Sequence, residues 1–188
     1  MIDWLLAALF FLAVFNPAAI ALLLARADGR PSSRDDVMRL LPAVVAAVVI
    51  LALLALVSEN VLDTLDLSLS TFQIAAGVVI IIGALQASLA LGLSPEDLST
   101  GWANVRLLIW MISPASLMLA LAFGADEGFG VAVASLVAGA VIALALAAAW
   151  VGWRGLANRF LLDWLRRMIA AGAVVAAIDL VRQGVENV

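Results

Sequence analysis

Two prolines sit inside long apolar runs, each behind a residue whose side chain can cap a helix: Asn16-Pro17 and Ser113-Pro114. Proline inside a helix removes one backbone hydrogen bond and clashes with the preceding turn. Asn and Ser are good N-caps, and Pro is favoured at the first helical position. Each pair therefore reads as the start of a new half-helix. Two such starts would turn N–H groups and positive dipole ends on one small volume, which favours a carboxylate. The carbonyl ends of the preceding half-helices would accept from an ammonium. A zwitterion suits such a site without any charged side chain. The bland alternative is that each Pro only kinks its helix. The matching of the two pairs favours the site. Ala18, Ala115 and Ser116 stand beside the breaks. Ser116 is either a further polar contact or bonds back to its own helix. Trp110 either walls the cavity or faces lipid, and lipid is the default.

The elements that must position these residues are membrane spans. Of 188 residues, 66% are apolar and 13% charged, and the mean hydropathy is +1.18. A soluble domain is about half apolar and a quarter charged, so the solvent of this chain is largely lipid. Five runs approach or exceed the ~20 residues that cross a bilayer. They are Trp4 to Ala25, Leu40 to Val57, Phe72 to Leu93, Leu107 to Gly124 and Gly128 to Gly152. A sixth, Met168 to Ile178, is short, and reaches only about 14 residues of the ~20 needed if Asp179 is admitted and Arg182 snorkels outward. Asn16 lies about 18 Å along a helix from Trp4, and Ser113 about 10 Å from Arg106. The two breaks thus approach the same depth from opposite faces.

Missing residue types exclude much chemistry. There is no Cys, His or Lys. Thiol catalysis, thiolate metal sites and His-based general base catalysis are therefore out. Ala27-Asp28-Gly29-Arg30 matches part of a lipid head-group transferase motif, but that motif's further aspartates are absent. An enzyme is not expected. The net charge of −4 offers no basic footprint for nucleic acid. Few buried carboxylates argue against a divalent-cation transporter.

Arg placement sets the expected orientation. Arg26, Arg30, Arg34 and Arg39, then Arg106, then Arg154, Arg159, Arg166 and Arg167 fall in alternate loop regions, and the opposite side holds only Arg182. The nine should be cytoplasmic, with both termini outside. Trp102, Trp150, Trp153 and Trp164 would mark the inner interface and Trp4 the outer one. The Asp3-led N-terminus lacks a basic region, so the first run reads as a retained span rather than a signal peptide. Ser94-Pro95-Glu96-Asp97 reads as the start of a short interfacial helix.

An internal repeat is visible. Residues 74–85 and 169–180 match at six of twelve positions, beginning Ile-Ala-Ala-Gly in both. Asn16-Pro17-Ala18 and Ser113-Pro114-Ala115 correspond at nearly the same offset. Three spans per unit would place the second unit upside down, a common plan for secondary transporters. Repeat one would cover about residues 1–93 and repeat two about 104–188, joined by a cytoplasmic connector at 94–103, all in a single membrane domain. Asp179 reads as an ion pair with Arg182, with proton coupling as the alternative. Gln73 and Gln86 read as bonds between helices. Gly77, Gly172 and the Ser135-x-x-x-Gly139 pair read as close packing.

Several segments resemble the MarC family: Phe15-Asn16-Pro17-Ala18-Ala19, Phe72-Gln73-Ile74-Ala75-Ala76-Gly77, Ser113-Pro114-Ala115-Ser116, and the stretch from Arg167-Met168-Ile169-Ala170-Ala171-Gly172 onward. The resemblance implies a six-span bacterial inner-membrane protein, related to the LysE exporter superfamily and linked to transport of glycine and alanine. This chain departs from the family pattern. Ala18 replaces the usual Gly after Asn-Pro. Ser113-Pro114-Ala115 replaces Gly-Pro-Gly. Gln73 replaces an Arg, and Ala76 replaces a Gly. A second Pro upstream in span four is missing. Fewer glycines leave less room for unwound backbone near a ligand.

The expectation is an all-α protein of six transmembrane helices, helices one and four broken, forming two inverted three-helix repeats. It would transport a small neutral amino acid. Asn16, Pro17, Ala18, Ser113, Pro114, Ala115 and Ser116 would form the substrate site, with Asp179 for proton coupling if any. No cofactor or metal is implied. The expected partners are the solute and the bilayer, with a homo-oligomer left open. The alternatives are an exporter of another small solute or ion, and a non-transporting membrane subunit.

Overall fold

A computed structural model describes residues 3–24, 34–89, 103–152 and 159–187. Every described element is a helix: α1 (Asp3–Phe15), α2 (Pro17–Leu24), α3 (Arg34–Leu56), α4 (Ser58–Thr64), α5 (Leu69–Ser88), α6 (Ala103–Met111), α7 (Pro114–Asp126), α8 (Phe129–Gly152) and α9 (Arg159–Glu186). Five stretches are long and apolar enough to cross a membrane: Trp4–Leu22, Met38–Leu56, Leu69–Ser88, Phe129–Trp150 and Phe160–Glu186. Asn104–Met111 and Pro114–Asp126, bent by 47°, make a sixth when taken as one span. These are spans one, two, three, five, six and four in the order of the chain's runs. The Ala27–Arg30 stretch, Arg26, the Ser94–Asp97 helix start, Trp102, Trp153 and Arg154 lie outside the described residues.

Local chemistry moves several boundaries from where hydropathy puts them. Span three begins at Leu69, because the Ser68 hydroxyl caps it by accepting from the Thr71 N–H at 3.3 Å. Helix α4 lies in the connection between spans two and three. Span six is the largest departure. The run Met168 to Ile178 is only the middle of α9, which has 28 residues. Asp163 holds the charged first turns helical by pairing with Arg166 three residues on and with Arg167 four on, the latter at 2.9 Å. Beyond the apolar run, Asp179 pairs with Arg182 at 2.8 Å.

Small residues fix which helices touch. A Cβ on Gly139 of α8 would meet the Phe11 Cβ at 2.7 Å and the Ala8 carbonyl at 3.1 Å. Four residues earlier, the Ser135 hydroxyl donates to the Trp4 carbonyl at 2.9 Å. Spans one and five therefore run parallel in close contact. Spans three and six cross antiparallel: a Cβ on Gly77 would lie 2.8 Å from the Ala177 carbonyl, and one on Gly184 2.6 Å from the Ser70 carbonyl. Gly172 departs from its expected packing role, since nothing lies within 4 Å of its Cβ position. The antiparallel seam instead uses Ala170 and Ala173 against Ala84 and Ala87.

Phe11, Phe15, Leu40, Leu51, Leu119 and Leu136 are wholly buried at the centre, and Phe10 meets Phe123 edge to face at 5.6 Å. The outer ring is equally apolar. Leu53, Val141, Val175 and Ile178 are each more than half exposed. Water would penalise such a surface, whereas hydrocarbon accepts it.

Candidate functional site

Asn16 separates α1 from α2 and is 1% exposed. Its φ is +50°, in the left-handed region that Asn tolerates better than most side chains. Its N–H still bonds the Leu12 carbonyl at 3.1 Å, closing α1. Its own carbonyl accepts from Ala19 at 2.9 Å and Ile20 at 3.3 Å, opening α2. The side chain works in both directions. Oδ1 accepts from the Ala19 N–H at 3.3 Å, and Nδ2 donates to the Arg166 carbonyl on α9 at 3.1 Å. Pro17 brings no N–H, so the Ala13 carbonyl loses its usual helical donor. Because Ala19 turns to Asn16, the Phe15 carbonyl is released as well, and the Trp110 indole N–H reaches it at 3.4 Å.

Ser113 separates α6 from α7 in an extended conformation, with ψ 158°. Its hydroxyl accepts from the Ser116 N–H at 3.4 Å, and Pro114 takes the first helical position. The Ser113 N–H turns back to the Trp110 carbonyl at 3.3 Å. The Ser116 hydroxyl is fully buried and bonds back to its own chain, at the carbonyls of Met111 and Ser113.

A cavity of about 400 Å³ lies between the two breaks. Asn16 with Ala13 and Val14 comes to it from α1 and its end. Ser113, Pro114 and Ala115 come from the start of α7. Val79 to Ala87 of α5 and Ala170 and Ala173 of α9 complete the apolar wall, and Arg106, Ile109 and Trp110 come from α6. Four of the expected substrate residues, Asn16, Ser113, Pro114 and Ala115, thus line one cavity. Pro17, Ala18 and Ser116 are buried beside it and are not among its lining residues. Asp179 lines neither this cavity nor its neighbour. Its second carboxylate oxygen accepts from Gln183 at 3.0 Å.

The cavity also contains residues that sequence reasoning assigned elsewhere. Trp110, given to lipid by default, walls it. Gln86, read as a bond between helices, lines it. Arg106, read only for orientation, stands in its wall and supplies positive charge there. A polar residue spaced one turn from an exposed apolar face could have flagged Gln86. Arg166 is a further surprise, being 6% exposed beneath Asn16. Its guanidinium reaches Asp163 and, at 3.5 Å, the Ser88 carbonyl closing α5.

The cavity brings Asn16, at the start of α2, together with Ser113 and Pro114, at the start of α7, and has Arg106 in its wall. Among the described residues, no group of three or more Asp, Glu, His or Cys could hold a metal ion. No curated protein and no solved structure matches the chain. Residues 2–94 match the family model described as MarC family integral membrane protein, and on that match the chain belongs to the MarC family.

Proposed function

We propose that this protein is a secondary transporter, not an enzyme, moving small zwitterionic solutes across the bacterial inner membrane by alternating access. Neutral amino acids such as glycine and alanine are the proposed cargo. The observation that carries this reading is the cavity that Asn16, Ser113, Pro114 and Ala115 share at the interruption of two spans. The carboxylate would face the half-helix starts and Arg106, and the ammonium the Ala13 carbonyl that Pro17 leaves without a helical donor.

The packing supports a plan of two inverted repeats. Exchange span one with four, two with five, and three with six. The contact of one with five then becomes that of four with two, and the contact of three with four becomes that of six with one. The contacts of three with six and two with five are unchanged, whereas the contact of four with five finds no comparable partner between one and two. Asp179 serves the helix as the ion-paired partner of Arg182. The Arg bias puts both termini outside the cytoplasm.

The test is uptake of labelled glycine and alanine into proteoliposomes, with and without a proton gradient. Saturable uptake is expected, with loss in Asn16→Ala and Ser113→Ala. Unchanged transport in both variants would remove the site. One observation favours a second reading. The cavity is larger than glycine needs and mostly apolar in its wall, which suits an exporter of another, larger solute. Competition by a panel of larger zwitterions separates the two.

A further inference from the structure

A second cavity, of about 230 Å³, opens among the same four spans. Its wall takes Leu6 and Phe10 from α1, Gln73 from α5, Phe123 and Asp126 from α7, and Gln183 from α9. Helices α1, α5, α7 and α9 therefore each line both cavities, and each does so at separate heights. Along α5 the step from Gln73 to Val79 is about 9 Å, and along α9 the step from Ala173 to Leu180 is about 10 Å. The plug is just under one helical turn thick on α1, between Phe10 and Ala13, and up to about two turns on α5 and α9. Phe11, Ala76, Leu119 and Ala177 occupy those turns and are wholly buried.

The second cavity has its own chemistry. Gln73 is 4% exposed, and its amide donates to Asp126 Oδ2 at 3.2 Å. That bond ties span three to span four across the cavity. The first cavity offers helix starts and Arg106, which suit a carboxylate. The second offers the Asp126 carboxylate, with Glu127 also in its wall, and that suits an ammonium.

Resting on the transport reading above, we propose that the two cavities are the two ends of one solute path, the second being a further binding station where Asp126 receives the ammonium of the zwitterion. Parting α5 from α7 at that end breaks the Gln73–Asp126 hydrogen bond and hands the carboxylate to the solute. Closing them restores the bond and expels it. Gln73 is thus the placeholder for the ammonium in the closed state.

The chain has no cysteine, so single cysteines report without background. Gln86→Cys probes the first cavity and Gln183→Cys the second, with Phe123→Cys as a second probe there should Gln183→Cys fail to fold. Each is treated in sealed vesicles with a membrane-impermeant maleimide, from one side at a time. The two positions are expected to react from opposite sides. Saturating glycine or alanine is expected to slow both reactions. Adding Asp126→Asn should abolish protection in the second cavity alone and raise the KM of uptake roughly tenfold or more, the loss of one charge-assisted hydrogen bond. Asp126→Glu should retain protection. Protection at Gln86→Cys alone, with uptake intact, overturns the second station and leaves the transport reading standing. Reaction of both positions from the same side overturns the path. Protection at neither, with no uptake, overturns both.

Discussion

Asn16 does three things at once: it takes a left-handed backbone, caps α2, and ties span one to span six through the Arg166 carbonyl. The cap is legible in the sequence, since Asn before Pro at a helix start is a local signal. The tie is not, because its partner lies 150 residues away. Nor is the left-handed φ, since Asn is equally at home in the extended conformation that Ser113 adopts. The three roles separate by substitution. Asn16→Gly keeps the backbone freedom and loses the amide. Asn16→Ala loses both. Left-handed backbone costs a non-glycine residue roughly 1–2 kcal/mol, on top of a lost cap worth roughly 0.5–2 kcal/mol. Thermal unfolding in detergent should therefore rank wild type above Asn16→Gly, and Asn16→Gly above Asn16→Ala. Equal midpoints for the two variants would mean that the positive φ carries no strain.

Hydropathy locates the helices but cannot say which stripe of each meets protein and which meets lipid, because both stripes are apolar. Small residues carry part of that information, and ambiguously. Gly77 and Gly172 sit in matching Ile-Ala-Ala-Gly segments, yet one lies under the Ala177 carbonyl and the other faces open space. The repeat therefore copies a motif without copying its contact. Gly139 was legible through its Ser135 partner, and both pack on span one. Adding a leucine side chain tests the distinction. Gly139→Leu must push α8 off the α1 backbone, and overpacking of this kind costs typically about 1–3 kcal/mol. Gly172→Leu should leave folded yield and unfolding temperature near wild type. A Gly172→Leu protein as damaged as Gly139→Leu would mean that a partner, such as a second copy, covers that face. Span six shows the opposite failure of legibility. Its apolar run is short, and its length comes from ion pairs of Asp163 with Arg166 and Arg167, which hydropathy counts against a helix.

For the whole molecule, orientation and repeat constrain each other. Spans one and five run parallel, while three and six run antiparallel, as six successive crossings require. With the bent pair counted as one span, six crossings would return the chain to its starting side and put both termini on one face. Sequence could pair spans one with four and three with six by their motifs. It could not test two against five, where Ala, Val and Leu repeat too often to align. Packing adds a partial comparison: exchanging the halves returns the contacts of one with five, three with four, three with six and two with five, while the contact of four with five has no comparable counterpart between one and two. Neither bears on which face would be the cytoplasm; that expectation rests on the arginines. Nine of ten fall in or beside alternate connections on one side of the expected topology, and arginine is retained on the cytoplasmic side during insertion. A reporter fused after Val188 reads the outcome directly. Alkaline phosphatase there should be active and green fluorescent protein dark, with the reverse pattern at a fusion point between Leu24 and Arg34. A fluorescent C-terminus would turn the molecule over and set the first cavity toward the outside. The second station would then be the cytoplasmic one, and the same carboxylate would collect solute from the cell interior rather than release it outside.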